Sequence, residues 1–257
     1  MKMIMNFLEI LILSIIQGIS EFLPVSSSAH LIIFSNIIDF SNRSIIFDVG
    51  LHFGSLLAII FYFKKELFNI SNDKKLFNLL LIGSIPLIIV GYIFYSTGII
   101  YSLRNLKVIA WTTLIFGILM YFADTFKIKN NIEKDLTIKN ILIIGILQIL
   151  AIIPGVSRAG ITITAGRFLN FDRHDSTKIS FYLSIPALMG ASALSLKDAV
   201  NENLEFNLFL IASIILSFIF SYLTIKYFLI YTKKFSLKFF VIYRIILSII
   251  IFLIIYY

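Results

Sequence analysis

The chain has 257 residues, of which 59% are hydrophobic and only 14% are charged, and its mean hydropathy is +0.98. This composition excludes an ordinary soluble globular domain, where about 25% of residues are charged, and predicts a helical membrane protein. The net charge of +8 does not indicate a nucleic-acid partner, because the basic residues lie in short loops between apolar runs, and the absence of cysteine excludes disulfides and thiolate metal sites.

Ten apolar runs follow one another along the chain, which is more than we expect for membrane spans. They cover 4–23, 25–38, 45–63, 76–97, 106–123, 138–153, 155–169, 178–196, 206–226 and 238–257. A span needs about 20 residues, whereas 25–38, 138–153 and 155–169 are shorter, and the runs that flank Pro24 and Pro154 are joined without a loop. Each of these two pairs is therefore predicted to form a re-entrant hairpin, which leaves six spans.

The charged loops predict the orientation of the six-span model. One side of it holds most of the loop Lys and Arg residues, among them Lys64, Lys129 and Lys233. By the positive-inside rule this side is cytoplasmic, so both termini are expected outside. The expected fold class is an all-α polytopic membrane protein, with a single integral membrane domain over 1–257.

The six-span model contains an internal repeat. A hairpin and three spans (4–123) are followed by a second hairpin and three spans (138–257), and the two hairpins are expected to enter from opposite faces. Pro24-Val-Ser-Ser27 aligns with Pro154-Gly-Val-Ser157, and a glutamine precedes each at nearly the same distance. Inverted repeats of this kind place broken helices near the membrane midplane, with helix N-termini directed at an anionic ligand.

A polar stretch from Gln17 to His30 interrupts the first hairpin, and Glu21 lies within it. Ionisable groups at membrane depth are costly, so this stretch is predicted to be a functional site. In each hairpin the serines that follow the proline are good N-cap residues. Two helix N-termini are therefore expected to meet and bind an anion, a phosphate or polyphosphate.

The phosphate contacts are expected from hydroxyls and backbone groups in both hairpins, with Arg158 adding a charged fork that suits phosphate oxygens. The predicted phosphate-binding residues are Ser26, Ser28, Gly155, Ser157 and Gly160. Ser27 and His30 are three residues apart on a predicted helix and share a face. We therefore expect the imidazole to lie near the Ser27 hydroxyl and to accept its proton.

Gln17-x-x-x-Glu21-Phe-Leu-Pro-Val-Ser-Ser-Ser-x-His30 and Pro154-Gly-Val-Ser-Arg-Ala-Gly160 resemble the paired signatures of the membrane undecaprenyl-diphosphate phosphatases, the family linked to bacitracin resistance. The similarity extends through 48–58 and 181–191. It implies hydrolysis of undecaprenyl diphosphate to undecaprenyl phosphate and inorganic phosphate at the outer face, which recycles the lipid carrier for peptidoglycan synthesis. It also implies a location in the bacterial plasma (inner) membrane and assistance by a divalent cation, Mg²⁺ or Ca²⁺.

Four residues are assigned to catalysis. Ser27 is expected to attack the terminal phosphorus with His30 as the base, while Arg158 stabilises charge on the phosphate oxygens. Glu21 is expected to orient the metal or His30. Attack by Ser28, or directly by water, stays open at this point.

Other polar residues receive weaker assignments. Glu21 is the expected metal ligand and Gln17, where the family often has glutamate, is a second candidate. His52 and Asp48 are expected either to line the cavity or to pair with each other near the outer surface, and the structural pair is favoured. Arg244 in the last apolar run is expected to balance a buried carboxylate.

A lipid-phosphate flippase or secondary transporter is the alternative function, because inverted repeats with broken helices are also a transporter architecture. A hydroxyl beside a base favours hydrolysis, since transport requires neither. A structural subunit is disfavoured because it does not require a polar cluster at membrane depth. The sequence leaves open the polyprenyl chain length, the metal and the oligomeric state, a homodimer included.

Overall fold

The computed structural model describes residues 2–37, 45–72, 74–201 and 208–256. The helices in these ranges are α1 (Lys2–Ser20), α2 (Ser27–Ile37), α3 (Ile45–Tyr62), α4 (Lys64–Asn72), α5 (Lys74–Ser96), α6 (Ile99–Ser102), α7 (Leu106–Asp124), α8 (Ile132–Asp135), α9 (Ile138–Gln148), a 3-10 turn (Ile149–Ile152), α10 (Arg158–Phe168), α11 (Arg173–Asn201), α12 (Leu208–Lys234) and α13 (Lys238–Tyr256). The described ranges contain no β-strand, and an isolated parallel bridge joins Asn130 to Phe171.

The expected all-helical class is confirmed in the described ranges. Five helices there are long and apolar enough to cross a membrane, namely α5, α7, α11, α12 and α13. The sixth predicted span corresponds to α3, whose apolar part in the description is the shorter stretch Val49–Tyr62. The two predicted hairpins are pairs of helices, α1 with α2 and α9 with α10. Their re-entrant course and the repeat boundaries stay predictions.

Small and hydroxylated residues hold α3 against α12. The Ser55 hydroxyl hydrogen-bonds to the hydroxyls of Ser217 at 3.1 Å and Ser221 at 2.9 Å, and Ser217 donates to the Leu51 carbonyl at 2.7 Å. A Cβ added to Gly54 would lie 2.4 Å from the Ile214 carbonyl oxygen, so only glycine allows this approach. Close contacts through small residues are how membrane helices associate when lipid and protein are equally apolar.

A cluster of buried aromatic side chains supports the first hairpin. Phe22, next to the polar stretch, packs edge-on against Phe181 of α11 with ring centroids 5.4 Å apart. The Arg158 guanidinium carbon lies 5.7 Å from the Phe22 ring centroid. The aromatic cluster therefore positions groups of both hairpins, one by packing and one by a cation–π contact.

An ion-pair cluster joins several helices at the end of the bundle that is predicted to be cytoplasmic. Arg173 binds both carboxylate oxygens of buried Asp124, at 2.6 and 3.2 Å, and the Leu237 N–H donates to the same carboxylate at 3.1 Å. Arg167 donates to the backbone carbonyls of Phe171 and Phe126. These contacts join α7, α10, α11 and the start of α13 at the end of the bundle where the sequence predicts the cytoplasm.

Candidate active site

The tips of the two hairpins are in direct contact. The first tip connects α1 to α2 through residues 21–26, and the second connects the 3-10 turn to α10 through residues 153–157. The Gly155 N–H donates to the Ser26 hydroxyl oxygen at 3.2 Å, and the Ser157 hydroxyl donates to the Leu23 carbonyl at 3.5 Å. The N-terminal ends of α2 and α10 therefore lie side by side.

A serine in the left-handed region precedes each of these helices. Ser26 has φ 76° and accepts the Ala29 N–H at 3.4 Å, while Ser157 has φ 70° and accepts the Gly160 N–H at 3.0 Å. A positive φ is unfavourable for a residue with a Cβ and persists only where the surroundings enforce it. Both serines cap their helix as expected.

When the two tips are aligned by backbone conformation, the match is shifted by one residue relative to the alignment by sequence. The alignment matched Ser27 with Ser157, whereas conformation matches Ser26 with Ser157. Two residues separate the proline from the capping serine in the second tip, whereas one residue does so in the first. One of the two is Gly155, which has φ 91° and no room for a Cβ, since a Cβ would lie 2.1 Å from a threonine hydroxyl oxygen. Ser27 and Arg158 therefore occupy equivalent positions, each the first residue of its helix.

These two residues meet on the Glu21 carboxylate. Its Oε1 accepts a hydrogen bond from Arg158 Nη2 at 2.8 Å, and its Oε2 accepts from the Ser27 hydroxyl at 2.7 Å and from Gln17 Nε2 at 3.1 Å. Glu21 is only 9% exposed. A buried carboxylate needs paired, hydrogen-bonded surroundings, and this arrangement supplies them from both hairpins.

The described hydrogen bonds of His30 do not include the expected one with the Ser27 hydroxyl. Its Nδ1 is 2.6 Å from the Ser26 carbonyl oxygen, and its Nε2 is 2.5 Å from the Tyr243 hydroxyl. A carbonyl only accepts, so Nδ1 carries the proton and, in the neutral ring, Nε2 accepts from Tyr243. Ser27 and His30 share a helical face, but this does not bring the two side chains into contact, because the Ser27 hydroxyl is directed at Glu21 in the preceding loop.

Arg244 joins the two tips to each other, and it contacts main chain rather than the carboxylate that the sequence predicted. It is fully buried, and its Nη1 donates to the carbonyls of Pro24 and Val156, both at 3.1 Å. Nη2 donates to the Gly155 carbonyl at 2.8 Å, and Nε donates to the Thr113 carbonyl of α7 at 3.2 Å. The guanidinium fork thus satisfies carbonyls that the irregular tips leave without helical partners.

We expect Arg244→Met to lower the free energy of unfolding by about 3 kcal/mol or more. Each buried carbonyl left without a donor costs about 1–3 kcal/mol, and several lose theirs together. Thermal unfolding in detergent measures the change. The matched control is Arg104→Met, the same substitution at an exposed arginine, which is expected to change stability by less than about 0.5 kcal/mol. Equal stability of the two variants would contradict the role of Arg244.

A cavity of about 610 Å³ lies beside the tips. Its polar end is formed by both tips and by His52, whose Nδ1 lies 3.2 Å from Gln17 Nε2. Its walls are mostly apolar residues of α5 and α11, and Tyr101 and Arg104 lie at the end nearest α6. The volume falls in the range of about 300–1,000 Å³ that small-molecule sites have.

A family model described as bacitracin resistance protein BacA matches residues 10–250. The chain belongs to the BacA family. An undecaprenyl-diphosphatase of Pelagibacter ubique is 60% identical over 215 residues, which cover 83% of this chain and 84% of that protein. Proteins of the same name from Campylobacter concisus and Alteromonas mediterranea are 43% and 40% identical, over 74% and 77% of this chain and 76% and 79% of theirs.

In this BacA family member, the predicted site residues divide into two groups. The cavity wall contains Glu21, Arg158 and the four hydroxyl residues Ser26, Ser27, Ser28 and Ser157. Gly155 and Gly160 lie behind it, and their N–H groups are already bound by serine hydroxyls, which leaves neither free for phosphate. His30 does not line the cavity.

The sequence did not predict the contacts of Arg104 and Tyr243, and for His52 it favoured a different position from the observed one. For His52 a pair with Asp48 was favoured over a position in the cavity wall. The structure places His52 in that wall, and the Asp48 side chain lies outside the described residues. The sequence does not mark Arg104 or Tyr243 as site residues. Arg104 follows a short helix outside the two motifs, and Tyr243 resembles the other tyrosines in the apolar runs.

The donor groups around Glu21 fit a hard divalent cation that takes most of its ligands from phosphate and water. Gln17 Oε1 is buried and has no hydrogen-bond partner, while both amide hydrogens of Gln17 have acceptors. The described residues contain no cluster of three or more His, Asp or Glu side chains that would form a cage from protein alone. Mg²⁺ commonly uses one or two protein oxygens with substrate phosphates and water.

Proposed function

We propose that this protein hydrolyses undecaprenyl diphosphate to undecaprenyl phosphate and inorganic phosphate. This reaction recycles the lipid carrier for peptidoglycan synthesis and confers resistance to bacitracin. The similar proteins from three genera carry the name undecaprenyl-diphosphatase. The observation that carries the proposal is the Glu21 carboxylate in a cavity wall, hydrogen-bonded to the Ser27 hydroxyl and paired with Arg158.

Phosphate binding is assigned to the polar end of the cavity. The N-termini of α2 and α10 lie side by side there, and unpaired N–H groups and the helix dipoles at such termini favour anions. Arg158 adds a fixed positive charge, and the hydroxyls of Ser28 and Ser157 line the same wall. These groups hold the diphosphate and stabilise charge on the phosphoryl oxygens as the bond to the leaving group breaks.

Ser27 is the proposed nucleophile, with Glu21 as its base. The Ser27 hydroxyl already donates to Glu21 Oε2 at 2.7 Å, a distance suited to proton transfer. Oxygen–phosphorus bond formation at the terminal phosphate breaks the phosphoanhydride bond and releases undecaprenyl phosphate. Glu21 passes the Ser27 proton to the departing undecaprenyl phosphate and is ionised again. It then accepts a proton from the water that attacks the phosphoserine and returns this proton to the Ser27 oxygen as inorganic phosphate leaves.

His30 acts in this proposal by positioning. Its Nδ1–H binds the carbonyl of Ser26, the residue directly before Ser27. It thereby supports the left-handed Ser26 conformation that directs Ser27 toward Glu21. The sequence predicted His30 as the base. We assign this role to Glu21, because Glu21 accepts the hydrogen bond of the Ser27 hydroxyl.

A divalent cation, Mg²⁺ or Ca²⁺, is part of the proposal. Glu21 and the Oε1 of Gln17 would hold it, with phosphate oxygens and water completing its ligands. When bound, it supplies positive charge that neutralises the diphosphate.

Six spans with two re-entrant hairpins, with both termini outside, are the proposed topology in the bacterial plasma membrane. The cavity extends from the tips toward Tyr101 and Arg104, which follow α5 on the side that the charge pattern predicts to be outside. This direction supports access from the outer face. Released phosphate would then leave outside.

A flippase or secondary transporter remains the second candidate, supported by the inverted repeat that the sequence predicts. The hydroxyl–carboxylate pair favours hydrolysis, because movement of a lipid phosphate requires no nucleophile. Proteoliposomes separate the two functions: transfer of the lipid between leaflets without phosphate release would replace our proposal by transport.

The purified protein in detergent tests the proposed function directly. We expect it to release phosphate from undecaprenyl diphosphate, to lose this activity when a chelator is added, and to regain it with Mg²⁺ or Ca²⁺. Phosphate release that is unaffected by chelator would remove the cation from the proposal. No release under either condition would contradict the diphosphatase function itself.

A further inference from the structure

Two helices of the cavity wall, α5 and α11, approach each other at two levels. At the inner level, a Cβ added to Gly83 would lie 3.2 Å from Leu183 Cδ2, so the helices are packed tightly there. At the outer level, the Tyr95 hydroxyl donates to the Asp198 carboxylate. From Gly83 to Tyr95 the rise along α5 is about 18 Å at 1.5 Å per residue.

Between these levels the two helices leave a gap. A Cβ added to Gly91 of α5 or to Gly190 of α11 would meet no atom within 4 Å, and both glycines line the cavity. Each helix contains a proline just beyond the inner contact, Pro86 and Pro186. Proline removes a helical hydrogen bond and bends the helix, which is how two packed helices can separate beyond it. We call this gap the α5–α11 window.

The two helices that flank the window border both the cavity and the lipid-facing surface. On the cavity side its walls are apolar and small, with Ala187 and Ala191 next to Gly190. On the outer side, Ile89 and Met189, neighbours of the two glycines, are 54% and 53% exposed. The polar end of the cavity at the tips suits the diphosphate group of a polyprenyl diphosphate. The apolar gap between the two helices suits its isoprenoid tail.

We propose that the isoprenoid tail of the substrate leaves the cavity through the α5–α11 window into the bilayer, and that Gly91 and Gly190 determine tail specificity by keeping it open. This inference rests on the proposed diphosphatase function. A cavity of about 610 Å³ suits a drug-sized molecule, whereas an undecaprenyl tail of eleven isoprene units is too large to be enclosed in it. The tail must therefore leave the cavity while the diphosphate stays at the tips. In the proposal the window provides this exit, because it faces the hydrocarbon of the bilayer, where an isoprenoid tail is soluble.

Leucine at either glycine tests the window. Gly91→Leu and Gly190→Leu are expected to fold, because leucine favours a helix more than glycine by about 1 kcal/mol and no neighbour obstructs its Cβ. We expect each to raise the KM for undecaprenyl diphosphate about tenfold or more, a size typical of steric discrimination in apolar pockets. Hydrolysis of isopentenyl diphosphate, whose five-carbon chain fits inside the cavity, is expected to change less than about twofold.

Ile89→Phe and Met189→Phe are the matched controls, since they add bulk on the lipid side of the same two helices, and they are expected to leave both substrates unaffected. Equal losses with the long and the short substrate, or no loss with the long one, would overturn the window. If the wild type releases no phosphate at all, the proposed function fails, and binding of undecaprenyl diphosphate to the same variants decides the window separately. Weaker binding in the glycine variants alone supports it, and equal binding in all variants overturns it.

Discussion

Replacing Ser27 with alanine is expected to lower the kcat of phosphate release from undecaprenyl diphosphate by about 10³-fold or more. Removal of a nucleophile abolishes the covalent route, and the remaining rate comes from binding and charge stabilisation alone. The Ser27 hydroxyl donates only to Glu21 among the hydrogen bonds described for it, so its loss leaves that carboxylate paired with Arg158 and Gln17. Folding is therefore expected to be retained, which thermal unfolding checks.

The neighbouring hydroxyl provides the control for Ser27. Ser28 lines the same cavity and lies 3.3 Å from the Ser26 hydroxyl, but it does not contact Glu21. Ser28→Ala is expected to lower kcat by about 10–10²-fold, because a hydrogen bond to a charged group such as phosphate contributes about 1.5–3 kcal/mol. Rapid quenching with substrate labelled at the terminal phosphate is expected to trap phosphoserine in the wild type and none in Ser27→Ala. A near-normal rate in Ser27→Ala would show that water or Ser28 attacks instead.

Arg158→Ala is expected to lower kcat/KM by about 10²–10³-fold, because the variant loses a fixed charge directed at the phosphoryl oxygens. It also leaves the Glu21 carboxylate buried without its ion-pair partner, which is costly even where the pair itself contributes little. Both an activity assay and thermal unfolding are therefore needed, and we expect both to change.

Arg158→Lys separates the two effects. Lysine keeps the charge near Glu21 but lacks the planar fork that binds two oxygens at once. We expect this variant to recover most of the stability and only part of the activity. If Arg158→Ala is fully active while folded, the assignment of phosphate binding to this residue is wrong.

Much of the site was predictable from the sequence because its residues cluster. Glu21 and Ser27 lie six residues apart, and Pro154 to Gly160 repeats the pattern of the first tip. Prolines followed by serines predicted where helices end and begin, and the structure places α2 and α10 at those points. Local chemistry thus carried the prediction that the two tips form one site.

The contacts that the sequence did not predict depend on tertiary position. His30 satisfies the spacing for a contact with Ser27, but helical spacing only brings residues onto one face and does not determine where a side chain near a helix start will turn. Tyr243 and Arg244 lie more than 200 residues from the first tip, and Arg244 contacts carbonyls, which every residue possesses. No residue pattern marks such a partner. The one-residue shift between the tips could not be predicted either, because no sequence pattern marks a serine with a positive φ.

The reliance of Arg244 on backbone carbonyls has a consequence for how these tips can change over evolution. A guanidinium that binds the carbonyls of Pro24, Gly155 and Val156 does not recognise which side chains those residues carry. It recognises where the peptide groups are, so it responds to the length and path of each loop. Chemistry at the tips can therefore diversify by substitution, whereas the insertion or deletion of a single residue would displace the carbonyls and separate the two halves of the site.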